Sequence, residues 1–451
     1  MACQMDKYSR LSALKPARGA APRPAMLRAP NEEDALAQLL GSVVARNRFG
    51  EHLSVRNWFS TPEFAEPSAI TLDLLSRTRG EPLSGRARTA LADPSKWLFL
   101  DTETTGLAGG TGTYAFLVGI AWWEAGGLEV EQFFMRDFAE EHSLLYELTA
   151  RLADRPVLLT FNGKSFDWPL LESRFTMTRS IATPHLMAHF DLLHPARAIW
   201  KLRLGSVRLV DLERHVLDAP HLGWHRADDV PSSLIPQFYF DYLRGGPAES
   251  LVAVVRHNQM DLRGLAALFS KINTLLTAQY SLRHEIDGLD LFGLSRFLQR
   301  RGASESAQMA CKLALDLGLP AEFRPIARRD LALLAKRLGD HVRAAALWHE
   351  LVADSHDAAF ACEQLAIHYE RRAKDFARAA EFARLGLAKI KRTRTDPRDP
   401  YAATRLAKLA ERFLSRINRL DHRIMRTKGV TALPLAGPRG ASPAGGGNRG
   451  R

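Results

Sequence analysis

The apolar positions of this chain change period twice. From Trp97 they come as short runs that read as strands: Trp97-Leu98-Phe99-Leu100, then Tyr114 to Trp123, then Leu128 to Met135 with Leu128, Val130 and Phe133 apolar. Gly126-Gly127 suits a tight hairpin between the last two. A helical period follows from Glu140 to Leu152, a continuous apolar run from Val157 to Phe161, a helix from about Phe166 to Phe175, and a short strand ending near Asp191. A long apolar-periodic helix from about Leu251 to Leu276 closes this part. Hairpin-linked strands followed by alternating helices and strands predict an α/β fold, a mixed sheet flanked by helices.

Past about Asp287 the strand pattern stops, and helix follows helix to Lys428. Two stretches starting at Ala327 and Ala361 repeat each other. Leu331-Ala332 matches Leu365-Ala366, Arg337 matches Arg371, Ala345-Ala346 matches Ala379-Ala380, and Trp348 matches Phe382. A period of 34 residues is the tetratricopeptide helix-pair length, so an all-α TPR-like domain is expected, with an ordinary array of helical hairpins as the alternative. Before Trp97 only a short amphipathic helix (Leu36, Leu39, Leu40, Val43, Val44) stands out. The chain therefore divides into a disordered basic arm (1–30), a lead-in segment (31–94), the α/β domain (95–283), the helical domain (284–428) and a disordered Gly-rich tail (429–451).

Composition narrows the class. At 451 residues the chain exceeds one ordinary domain, and no stretch approaches the roughly 18 unbroken apolar residues of a membrane helix. Its N-terminus lacks an apolar signal segment, which predicts a cytoplasmic protein without membrane contact. Cys3, Cys311 and Cys362 are too scattered for a disulfide framework or zinc cluster. A net charge of +12 suggests a polyanionic partner. That charge is unevenly placed: residues 96–283 sum to −3 and residues 284–428 to +9.

Three clusters carry candidate chemistry. Asp101-Thr102-Glu103 ends the first strand, where residues i and i+2 share a face and two carboxylates can meet one cation. Asn162-Gly163-Lys164-Ser165-Phe166-Asp167 follows the second buried run and puts Asp167 just inside a helix; His257 and Asp261 lie one turn apart on the last helix. Singly, each has an ordinary explanation: a solvated turn pair, an acid at a helix N-terminus, a surface His–Asp contact.

In this order the clusters resemble the DEDD exonuclease superfamily, with its ribonuclease H-like fold. The stretches Phe99 to Val118, Phe161 to Leu171, Phe190 to His194 and His257 to Leu262 resemble more narrowly the bacterial YprB-type predicted exonucleases, in which such a domain precedes helical repeats. The resemblance implies a 3′→5′ exonuclease acting on DNA or RNA, single-stranded or with a 3′ end. Asp101, Glu103, Asp167 and Asp261 would hold two Mg²⁺ or Mn²⁺ ions, and His257 would be the general base. Hard oxygen donors without cysteine suit such ions, and a pair of them roughly 4 Å apart can activate water and stabilise both reacting oxygens. One departure stands out: the superfamily places a His five residues, or a Tyr four residues, before the last Asp, and His257 is a His in the Tyr slot.

Asn162 and Lys164 are candidate phosphate contacts. Arg412, Arg416 and Arg419 recur along one flank of the last helix as a candidate nucleic-acid surface, with a solvated capping helix as the alternative. The helical repeats could also hold a protein partner. His185, His189 and His194 lack the companions of a zinc site, and Gly109-Gly110-Thr111-Gly112-Thr113 lacks the Lys of a P-loop. The rival functions are a helical adaptor with a vestigial nuclease domain and a structure-specific endonuclease using the same acids.

Overall fold

The computed structural model describes residues 35–60, 69–76, 85–106, 112–124, 126–220, 226, 229–277, 286–354, 358–392 and 401–427. The expected arm and tail lie outside these residues, as does most of the 109–113 segment.

Among the described residues, seven strands form one mixed sheet in the order β1-β2-β5-β4-β3-β6-β7: β1 (Val43–Asn47), β2 (Gly50–Ser60), β3 (Trp97–Thr104), β4 (Ala115–Glu124), β5 (Gly127–Phe134), β6 (Val157–Thr160) and β7 (Ala188–Asp191). β3, β4 and β5 are antiparallel neighbours, while β6 joins β3 and β7 joins β6 in parallel. Parallel pairing needs crossovers, and α4 (Glu141–Asp154) and α5 (Asp167–Thr178) precede β6 and β7. The turn at Gly126 takes φ +77°, the left-handed region that the β4–β5 hairpin requires.

The expected lead-in is corrected here. Val43 and Val44 belong to β1, not to the short helix α1 (Ala35–Leu40), and β1 with β2 extends the sheet beyond β5. Leu53 and Val55 point into the core, while Arg56 and Trp58 face outward; Val43 sits exposed on the edge strand. Two short helices follow, α2 (Ala69–Ser76) and α3 (Gly85–Ala92).

Beyond β7 come α6 (Leu193–Leu204), α7 (Leu209–His215), α8 (Ile235–Leu243) and the long α9 (Glu249–Thr277). The helix-rich C-terminal region follows: α10 (Gly288–Arg300), α11 (Ser304–Leu317), α12 (Arg324–Arg337), α13 (His341–Asp354), α14 (Ala358–His368), α15 (Phe376–Arg392) and α16 (Ala402–Thr427). The 34-residue repeat corresponds to the helix pairs α12/α13 and α14/α15. The matched residues Leu331-Ala332 and Leu365-Ala366 are buried in both, and Trp348 is buried where Phe382 is half-buried.

The sheet domain and the first helices of the C-terminal region share a core. One apolar cluster runs from Trp97 and Phe99 through Trp200 and Phe269 to Phe292, Ala310 and Leu334. The joint is close-packed at Gly293, where a Cβ would lie 2.2 Å from the Ile199 carbonyl oxygen and 2.7 Å from that of Ala198. Backbone cannot yield as a side-chain tip can, so Gly293→Ala is expected to lower stability by about 2–3 kcal/mol. Chemical denaturation checks this, and an unchanged midpoint would mean that α10 does not pack on α6 as described.

Candidate active site

The three clusters meet where the C-terminal end of β3, the start of α5 and the first half of α9 come together. Asp101 and Glu103 leave the C-terminal part of β3 on one face, both partly exposed, so the group opens to water. Asp167 is the first residue of α5, and its Oδ1 accepts a 2.5 Å hydrogen bond from Thr102 Oγ1, the residue between the β3 acids. α9 lies directly over β4: a Cβ on Gly119 would fall 2.1 Å from Asn258 Oδ1 and 2.7 Å from Leu262 Cδ1. That close approach lets Asn258, fully buried, donate to Asp101 Oδ2 at 2.8 Å while accepting from Gln132 Nε2 at 2.8 Å.

His257 also comes from α9, and its ring bridges two sets of acids. Nδ1 lies 2.6 Å from Asp229 Oδ1, while Nε2 lies 3.6 Å from Asp261 Oδ2 and 3.9 Å from Glu103 Oε1. Asp229 therefore faces one ring nitrogen, and the other points toward the carboxylate cluster. Arg226 donates to Asp229 at 2.9 Å, to both oxygens of Glu213 at 2.6 and 2.7 Å, and to Asp261. Glu213 is buried against α9 where Gly264 leaves room for it.

The electrostatics are those of crowded anions. Burial, then Asp261, Asp167 and Glu103, hold the Asp101 carboxyl well above the usual range. Burial, then Asp261, Asp167 and Asp229, do the same to Glu103. Asp167 is pushed up to about 6 by burial, against the opposing hydrogen bond from Thr102. Glu213 is pushed up to about 7 by burial despite Arg226. Burial also pushes Asp229 upward, but Arg226 and His257 overcome it and leave its carboxyl below the ordinary value.

This donor set fits a hard divalent cation in chemistry: oxygen ligands, excess negative charge, and an opening to solvent. Among the described residues, no three acidic, histidine or cysteine side chains are drawn into a ligand shell. Asp101 is turned to Asn258, Asp167 to Thr102 and Asp261 to Arg226.

The remaining candidates fall in two places. Asn162 stands beside the cluster at φ +66°, a left-handed conformation that Asn tolerates. Its backbone N–H donates to Asp191 Oδ1 at 2.8 Å, and that of Lys164 to Asp191 Oδ2 at 3.2 Å, so Asp191 pins the loop before Asp167. The Lys164 side chain is exposed. His189 is structural, its Nε2 lying 2.9 Å from Thr160 Oγ1. On α16 the expected cationic flank stays largely exposed while pairing with acids that precede it in the chain. Arg412 pairs with buried Glu363 at 2.8 Å, and Arg416 and Arg419 pair with buried Glu370 at 2.5 and 3.0 Å. These pairs tie α16 to the preceding helices, with Arg416 largely enclosed and Arg412 and Arg419 still 58% and 45% exposed.

A mixed sheet in this order, with acids converging from its central strand and two helices, defines a ribonuclease H-like domain. The model of the RNase H superfamily matches residues 98–273. Over 294 residues the chain is 30% identical to the "Uncharacterized protein YprB" of Bacillus subtilis (strain 168), covering 64% of this chain and 68% of that protein. The chain belongs to this YprB family of the RNase H superfamily. Membership points to nuclease chemistry on a nucleic-acid substrate, of the kind that divalent metal ions support. No helix among the described residues is long and apolar enough to cross a membrane.

Proposed function

We propose that the protein is a DEDD-type 3′→5′ exonuclease that hydrolyses phosphodiester bonds with two divalent ions. The observation that carries this reading is the convergence of Asp101, Glu103, Asp167 and Asp261 beside Nε2 of His257. The four carboxylates would hold Mg²⁺ or Mn²⁺, which supplies Lewis-acid stabilisation of charge on the scissile phosphate. His257 takes a proton from the attacking water at Nε2 while Asp229 holds Nδ1. Asn258 keeps one oxygen of Asp101 engaged and so limits its rotation. Asn162 and Lys164, at the mouth beside Asp167, meet the substrate backbone.

The test is a time course on 5′-labelled DNA and RNA, single- and double-stranded, with Mg²⁺, Mn²⁺ or EDTA. A ladder of products shortened from the 3′ end, abolished by EDTA, is expected. Cutting of a circular single strand would replace this reading with an endonuclease, and binding without turnover under every metal would leave the adaptor.

A further inference from the structure

The positive charge of residues 284–428 has two fates. On α16 it is partly neutralised, where buried Glu370 meets Arg416, Arg419 and, at 3.6 Å, Arg423. At the ends of α12 and α14 it faces outward. Lys336, Arg337, Arg371, Arg372 and Lys374 are all exposed, and among the described residues no ion pair engages Arg337, Arg371, Arg372 or Lys374. Arg337 and Arg371 are equivalent positions of the 34-residue repeat, so successive helix pairs present a cation at the same place.

Half-buried aromatic rings, seated on the apolar clusters between these helices, border these charges. Tyr369 opens the π-helical turn (Tyr369–Ala373) that ends α14. Its ring is nearly parallel to that of Phe382, 3° apart in plane and 5.5 Å between centroids. His349 stands edge-on to both rings, with Nε2 3.1 Å from the Tyr369 hydroxyl. The mostly exposed Arg378 guanidinium lies 5.7 Å from the Tyr369 ring centre. Cations outnumber acids here, although Glu363 acts on Lys336 and Asp375 lies 3.8 Å from Arg378. Burial first, and then neighbouring cations, lower the pKa of Lys336 (Arg371), His349 (Arg378) and His368 (His341, His349 and Arg372).

We propose that this surface, from Arg337 across Arg371 and Arg372 to Tyr369 and Arg378, holds single-stranded nucleic acid. Cations at a repeated spacing meet phosphates, and rings between them meet bases, which is the alternation that single strands present and acidic peptides lack. The inference rests on the proposed nucleic-acid substrate and assigns a second contact to it, away from the carboxylates. The ordinary alternative is that these cations only favour the C-terminal ends of their helices, a role that would show in stability and not in affinity.

Fluorescence anisotropy of labelled dT and rU oligonucleotides with the full chain, in EDTA and over a range of NaCl, tests it. Arg371→Glu with Arg372→Glu is expected to weaken binding roughly 10-fold or more and to flatten the salt dependence by one to two phosphate contacts, that is, a log–log slope smaller by about 0.7–1.4. Tyr369→Leu, which keeps an apolar side chain in the packing, should weaken binding roughly 5-fold with the salt slope unchanged. Thermal melting confirms that each variant is folded. Folded variants that bind like the wild type would overturn the surface while leaving the nuclease reading intact. Polyglutamate competing as well as unlabelled oligonucleotide would replace the strand by an acidic polypeptide. A wild type that binds no oligonucleotide at all would sink both readings.

Discussion

Replacing Asp101 by Asn should reduce hydrolysis by roughly 10³-fold, about 4 kcal/mol of transition-state stabilisation, and at the same time raise the melting temperature of the metal-free protein. The two effects have one origin. Asp101 sits where burial and three neighbouring acids disfavour its charge, so the neutral amide removes repulsion while Asn258 can still donate to its oxygen. An ionised Asp101 costs stability, and that cost is tolerable in a chain whose site gains cations. Saturating Mn²⁺ should therefore stabilise the wild type more than the variant, read as the shift in melting temperature with metal. A variant less stable than wild type in EDTA would show that Asp101 is a structural acid.

The pH dependence follows with the same sign. Asp167, at about 6, and Glu213, at about 7, bind protons more tightly in the folded chain than in the unfolded one. Stability then falls as pH rises wherever the folded state holds the extra proton, by about 1.4 kcal/mol for each tenfold difference in proton affinity between the two states. The loss begins near the ordinary carboxylate range and is complete once pH has passed about 7. His52 and His189, pushed down to about 4 by burial, pull the other way over the same range, so the acid's share is read as a difference: between pH 5 and pH 7.5 the metal-free wild type should lose stability relative to Asp167→Asn. A divalent ion should reverse this slope by favouring the charged carboxylates.

What could be read from the sequence follows from locality. Asp101 and Glu103 are two residues apart on a strand, and His257 and Asp261 four apart on a helix, so each pair shares a face by backbone geometry alone. β4 and β6 were equally legible because they are almost wholly apolar, and β5 because Leu128, Val130 and Phe133 supply apolar positions along it. β2 was not: Gly50–Ser60 mixes Leu53 and Val55 with His52, Arg56 and Asn57, and its partner β5 lies about 75 residues away. Asp229 and Arg226 gave no signal because they sit outside regular helix or strand and reach His257 and Asp261 across 28 and 35 residues of chain. Asn258 was in view within His257-Asn258-Gln259-Met260-Asp261, but its role needs Gly119 on β4 to admit the side chain. The α16 arginines were legible as a flank, but their partners were not. A helix wheel separates charged from apolar positions, but it does not show that Glu363 on α14 and Glu370 in the turn after it pair with Arg412, Arg416 and Arg419.

His257→Ala should lower kcat by roughly 10²–10⁴-fold with little change in Mn²⁺ affinity, which separates a proton-transfer group from a metal ligand. Asp229→Asn is the sharper probe. A carboxylate at 2.6 Å from Nδ1 favours the tautomer with the proton on that nitrogen and leaves Nε2 able to accept one from water. An amide can present its N–H to Nδ1 instead, which moves the ring proton to Nε2 and removes the base without removing the ring. The loss in kcat should therefore approach that of His257→Ala, and the double variant should be little worse than either alone, because the two residues act as one unit. Asp229→Glu should recover part of the rate, since a carboxylate is restored. Arg226 lies on the same carboxylate, so the melting temperature of each variant must be matched before rates are compared. Independent, multiplying losses from Asp229→Asn and His257→Ala would separate the two residues and leave His257 as a group that acts without its Asp.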